Sequence, residues 1–141
     1  MVWVGIDTGV HTGFAVWDST DKALLDVLTL RIDEALLRVL ALHSDYGDDL
    51  SVIVEDARQR KWVPDTRDVR KEMSRRLGAG SVKRDAKIWE DFLEANKIAY
   101  RMLPPCKGCT KLTKEAFGQL TGWNGRTTEH SRDAAMLVFG R

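Results

Sequence analysis

The chain has 141 residues, 43% of them apolar and 30% charged, with a formal net charge of +1. That balance fits one folded domain over residues 1–141 with a real core, and it excludes a disordered or fibrous chain. No apolar run approaches the roughly 18 residues of a membrane span and no secretory leader pattern is present, so a cytoplasmic protein without a membrane partner is expected.

Taken in order, Val2, Trp3, Val4 and Ile6 form an apolar run that ends in one acid, Asp7. Gly9 and Gly13 follow, then a second apolar run over residues 14–17. Two strand-like runs with glycines between them predict a hairpin. Residues 23–30 read as a third strand. A helix starts at Asp33, with Glu34 in its first turn where the dipole favours acids. Its apolar face carries Ile32, Leu36, Val39, Leu40 and His43. Residues 50–54 form a short β-branched run that suits a buried strand, and it stops abruptly at Glu55 and Asp56.

The middle of the chain is less regular. After Pro64 a helix is predicted without a clean stripe, and Gly78, Ala79, Gly80 and Ser81 read as a breaker followed by an N-cap. A helix from there to about Asn96 would bury Val82, Ala86, Trp89, Phe92 and Leu93. Residues 98–103 form a strand, stopped by Pro104 and Pro105. Thr113 caps a short helix that ends at Gly122, and a last helix runs over about 128–139. Three sequential strands predict an antiparallel meander. Two later strands, each preceded by a helix, predict parallel additions by right-handed crossover. The expected fold is α/β, a mixed five-stranded sheet with helices on both faces.

Charge is unevenly spread. Arg58, Arg60, Lys61, Arg67, Arg70, Lys71, Arg75, Arg76, Lys83 and Arg84 fall within one short stretch, opposed only by Asp65, Asp68 and Glu72. That is a footprint for a polyanion, or a solvated helix face. Cys106 and Cys109 make a single CxxC, half a zinc site at best. Reduced loop thiols are expected, with a site shared across a dimer or a redox-sensitive pair as the alternatives.

Three acids lack a local reason for their positions. Asp7 and Glu55 each end an apolar strand, and in sheets with parallel members ligands gather outside the carboxyl ends of strands. Asp133 borders the apolar stripe of the last helix, on the face shared with His130 three residues earlier. If the first and fourth strands are neighbours, Asp7 and Glu55 sit side by side and repel, which a hard divalent cation resolves. Alternatively, Asp133 pairs with Arg132 or Arg126 and His130 is exposed.

The segments Gly5-Ile6-Asp7-Thr8-Gly9 with Thr12-Gly13, then Val54-Glu55, then His130-x-x-Asp133-Ala134-Ala135 resemble the RuvC-like Holliday-junction resolvases of the ribonuclease H-like superfamily. The resemblance covers nearly the whole chain in element order, and the short length is similar to phage-encoded relatives in a bacterial cell. It implies a ribonuclease H-like fold and two Mg²⁺ or Mn²⁺ ions held by Asp7, Glu55 and Asp133, with His130 in a fourth catalytic position that is Asp or His among relatives. It implies phosphodiester hydrolysis by a two-metal route, on a four-way DNA junction, by a homodimer. The position three after Glu55, where bacterial members tend to place an aromatic wedge, holds Arg58; Trp62 is the nearest aromatic.

The basic segment, with Lys107, Lys111 and Lys114, would track phosphates; the DNA-contact candidates are Arg58, Arg60, Lys61, Trp62, Arg70, Lys71, Arg75, Arg76, Lys83, Arg84, Lys107 and Lys111. The helix after Ser81 is a candidate dimer surface, with Trp89 and Phe92 either anchors or core. Two alternatives stay open: a related nuclease for other branched DNA or RNA–DNA hybrids, and a non-catalytic nucleic-acid-binding protein. A nucleotide cofactor is not expected, because ATP-binding relatives of this fold need a second domain and the chain is too short for one.

Overall fold

The computed structural model describes residues 1–59, 69–106 and 111–141, with backbone alone over 69–77 and at 79. Its strands are β1 (Val2–Asp7), β2 (Thr12–Asp18), β3 (Ala23–Leu30), β4 (Leu50–Glu55) and β5 (Ala99–Leu103), and its helices α1 (Ile32–Tyr46), α2 (Val69–Ala95), α3 (Lys114–Thr121) and α4 (Glu129–Val138). The sheet order is β3-β2-β1-β4-β5. β1, β2 and β3 pair antiparallel, and β4 runs parallel to β1 and to β5. This is the expected mixed sheet in a ribonuclease H-like arrangement.

Strand alternation divides the residues between two cores. Val2, Val4, Ile6, Phe14, Val16, Val52 and Val54 point to one face, where Ala35 and Val39 of α1 and Trp89 and Leu93 of α2 cover them. Ala15, Trp17, Val27 and Ile53 point to the other, under Phe117 of α3 and Ala134, Ala135 and Val138 of α4. The alternation that buries Ile6 and Val54 beneath α1 and α2 turns their successors, Asp7 and Glu55, toward α4.

α4 lies unusually close to the sheet. A Cβ on Gly5 would stand 2.1 Å from the Ala134 carbonyl oxygen, and one on Gly13 2.0 Å from that of His130. The spacing of glycines in the sequence places Gly13 in the turn between the first two strands. It lies instead within β2, opposite Asp7, and its missing side chain makes room for a helix.

One predicted boundary is corrected. Residues 78–81 do not break the chain; α2 runs through both glycines. An interior glycine costs about 1 kcal/mol against alanine, which weakens a helix without forbidding it. The end of α2 is fixed by packing, with Ala86, Trp89 and Leu93 fully buried. Trp89 is therefore core and not a dimer anchor; Phe92 is half-buried and meets it edge-on at 6.0 Å between centroids. The caps of α3 fall where expected: Thr113 accepts from the Ala116 N–H and Gly122 closes the helix in the left-handed conformation; α4 is capped by Thr128, which accepts from the Ser131 N–H.

Candidate active site

Asp7 ends the central strand and is 9% exposed. Its Oδ2 lies 2.9 Å from His130 Nδ1, on the first turn of α4. The contact depends on Gly13, over which the His130 main chain passes. Burial pushes the Asp7 carboxyl above its ordinary value, against the lowering effect of the His130 hydrogen bond, and the negative charge of Asp133 adds to the rise. Asp7 is thus a carboxylate held in a place that disfavours its charge.

Glu55 stands one residue beyond the Ile6–Val54 pair of the β1–β4 ladder, on the same face as Asp7. The Thr8 hydroxyl donates to the Glu55 carbonyl at 3.2 Å, tying the two strand ends together. Asp133 is half-buried on α4, one turn past His130. Its partner is neither Arg126 nor Arg132, the pairings weighed from sequence, but Lys111, whose Nζ lies 3.1 Å from Asp133 Oδ2 and also pairs with Glu129. Glu129 and Asp133 together push the Lys111 ammonium up to about 12. Arg132 instead donates to the Leu112 carbonyl at 2.8 Å and to Thr127 Oγ1 at 3.1 Å, which anchors the segment next to Lys111.

Asp7, His130, Asp133 and Lys111 therefore form one charged patch beside the end of β4. Among the described residues, no group of three or more His, Cys, Asp or Glu stands close enough to hold one ion as the side chains lie. The donor types still fit a hard divalent cation, which takes carboxylate oxygens, and the buried, disfavoured charge on Asp7 is of the kind such an ion relieves. Asp7, Glu55, Asp133 and His130 are the residues that would hold it, with Lys111 now supplying positive charge at Asp133.

Two of the expected DNA contacts have other partners. Arg58 donates to Asp56 Oδ1 through Nε at 2.8 Å, to Asp56 Oδ2 through Nη2 at 2.9 Å, and to Glu90 Oε2 through Nη1 at 2.8 Å. It joins the end of β4 to α2 instead of offering a free cation. Lys111 is engaged with acids as described. Lys83 and Arg84 are exposed on α2. Arg60, Lys61, Trp62 and Lys107 lie outside the described residues, as do the side chains of Arg70, Lys71, Arg75 and Arg76. Cys106 is disulfide-bonded and not the reduced thiol expected; Cys109 lies outside the described residues.

The knot around Asp56 escaped the sequence reading, although an acid directly after Glu55 was its visible sign. Asp56 is 2% exposed. Besides Arg58 it accepts from Gln59 Nε2, which also donates to the Met102 carbonyl, and its own N–H donates to Leu103. Burial pushes its carboxyl up, but the Arg58 guanidinium, the Arg58 N–H and Gln59 outweigh it and hold it below 3.8. Asp56→Ala should cost about 2–3 kcal/mol, below the 3–5 kcal/mol of a fully buried pair because Arg58 keeps some water. A lowered folded-state value gives stability present above 3.8 and lost as pH falls through the folded value. The gap between wild type and Asp56→Ala in urea melts should therefore be widest at neutral pH and close in acid.

The sequence matches no family model and no curated protein. Among the described residues no helix is long and apolar enough to cross a membrane.

Proposed function

We propose that this protein is a metal-dependent endonuclease that resolves four-way DNA junctions by paired phosphodiester hydrolysis. The observation that carries it is the placement of Asp7 and Glu55 at the carboxyl ends of two adjacent parallel strands, under a helix that brings His130 onto Asp7. Divalent cations held by Asp7, Glu55, Asp133 and His130 would supply Lewis acidity at the scissile phosphate. The chain's own part is to hold the acids. Asp7 is buried between two strands and a helix, so its carboxylate has little freedom to lose on binding. His130 bears on one Asp7 oxygen and, half-exposed, is available to orient water or donate to phosphate. Lys111 must share or release Asp133 when cations enter.

A four-way junction is two-fold symmetric and needs two cuts, which two copies of the chain would supply. The Lys111–Asp133 pair favours a second reading, a nucleic-acid-binding protein on a nuclease fold. One experiment separates them. Labelled four-way junction, linear duplex, splayed fork and RNA–DNA hybrid are incubated with the protein in Mg²⁺, Mn²⁺ or EDTA. Symmetric paired nicks on the junction, in metal alone, are expected. Cutting of the fork or hybrid would change the substrate and keep the site. Binding without metal-dependent cutting would establish the second reading.

A further inference from the structure

Beside the acids, on the same face of the sheet, a cavity of about 440 Å³ opens between β3 and the starts of α3 and α4. Its lining includes Thr29, Lys114, Arg126, Thr127, Thr128 and Ser131. Neither Lys114 nor Arg126 has an ion-pair partner among the described residues, unlike Arg58 and Lys111. Two basic residues without an ion pair among the described residues thus line one concavity, Lys114 with only the through-space charge of Glu115 beside it.

The hydroxyls add donors. Thr127 Oγ1 accepts from Arg132, so its own proton remains to be given. Thr29 and Thr128 share one hydrogen bond at 2.5 Å, and whichever donates, the other's proton is left over. Among the described residues the acceptor for that proton is at most Ser131 Oγ, a long 3.5 Å from Thr128 Oγ1. An ammonium, a guanidinium and two hydroxyl protons around one space match the oxygens of a phosphate group.

Register fixes how far this cavity lies from the acids. Asp7 pairs with Gly13, and Gly13 with Thr29, across three adjacent strands. Two strand spacings separate Thr29 from Asp7, about 10 Å, a span of one or two successive phosphates along a nucleic-acid backbone. We infer that this cavity is a phosphate subsite that grips a nucleic-acid strand one or two nucleotides from the phosphate at Asp7. The strand as occupant rests on the proposed function; the phosphate chemistry does not.

The test uses the whole chain in EDTA, so no cutting is needed. Inorganic phosphate is titrated while the backbone amides of residues 127–131 are followed by NMR. Junction binding is measured against salt. Both are repeated on the Lys114→Gln/Arg126→Gln double variant, whose amide spectrum elsewhere reports its folding, and on Lys97→Gln at the opposite end of the sheet. Saturable shifts that the double variant loses, with a log–log salt slope shallower by about 1.8 (about 0.9 per contact), are expected, while Lys97→Gln matches wild type. A shallower slope without phosphate shifts supports the strand alone as ligand. Phosphate shifts with an unchanged slope, or with no junction binding by the wild type, keep the anion site and overturn the strand as its occupant; the last result also removes the proposed function. No shifts together with an unchanged slope overturn the subsite altogether.

Discussion

Asp7→Asn should abolish metal-dependent cutting of the junction while leaving its binding in EDTA intact. The amide keeps the shape and can still meet His130, but loses the charge that would hold a cation. Several kcal/mol of transition-state stabilisation are at stake, so the rate should fall by about a thousandfold or more. The same change should not weaken the fold. Burial raises the Asp7 carboxyl above 3.8, so folding disfavours its charged form. A raised folded-state value means that the stabilising, protonated state is fully present below 3.8 and is lost as pH rises through the folded value. At neutral pH wild type therefore carries a penalty that Asn avoids, and Asp7→Asn should melt at or above the wild-type temperature. The advantage should vanish in acid. A lower melting temperature at neutral pH, or lost junction binding, would make Asp7 a structural residue and leave the proposed function without its centre.

The sheet was legible because its strands are marked by local composition. Four of the five have an apolar run with a definite stop: Asp7, the polar turn after Trp17, Glu55, Pro104. The acids were legible for the same reason, since a carboxylate at the end of an apolar run has no packing purpose there, and His130 and Asp133 share a helix face by spacing alone. Pairings between distant segments were not legible. Lys111 and Arg58 looked like free cations because nothing local says that Asp133, or Asp56 and Glu90, will neutralise them. Gly78 and Gly80 looked like a break because local propensity favours one; the helix that passes through them is fixed further on, where Trp89 and Leu93 are buried. The glycines near the acids carried a different signal from the one read. A glycine in a strand marks either a bend or a close neighbour, and only the placement of α4 shows that Gly5 and Gly13 mark a neighbour.

Gly13→Ala follows from that placement and should damage stability and activity together. The added Cβ would lie 2.0 Å from the His130 carbonyl oxygen and 2.5 Å from its carbon, whereas an unstrained carbon–oxygen contact needs about 3.3 Å. The obstacle is helix backbone, which has no rotamer to escape into, so α4 must retreat by more than about 1 Å. Overpacking costs about 1–3 kcal/mol, and a rigid obstacle puts this site near 3, or roughly 6–12 °C in melting temperature at this size. The retreat begins at His130, so it pulls that ring from Asp7 and shifts Asp133; a displacement of about 1 Å at a reacting centre can cost about a hundredfold in rate. Gly5→Ala is the matched comparison. Its Cβ would meet the Ala134 carbonyl at 2.1 Å, one turn further along α4. The two variants should lose similar stability, but Gly13→Ala should lose more activity when both are assayed well below their melting temperatures. Equal activities would mean that α4 moves as one rigid body and the His130 turn has no special standing. A Gly13→Ala protein that melts and cuts like wild type would mean that the close approach of α4 is not what holds His130 against Asp7.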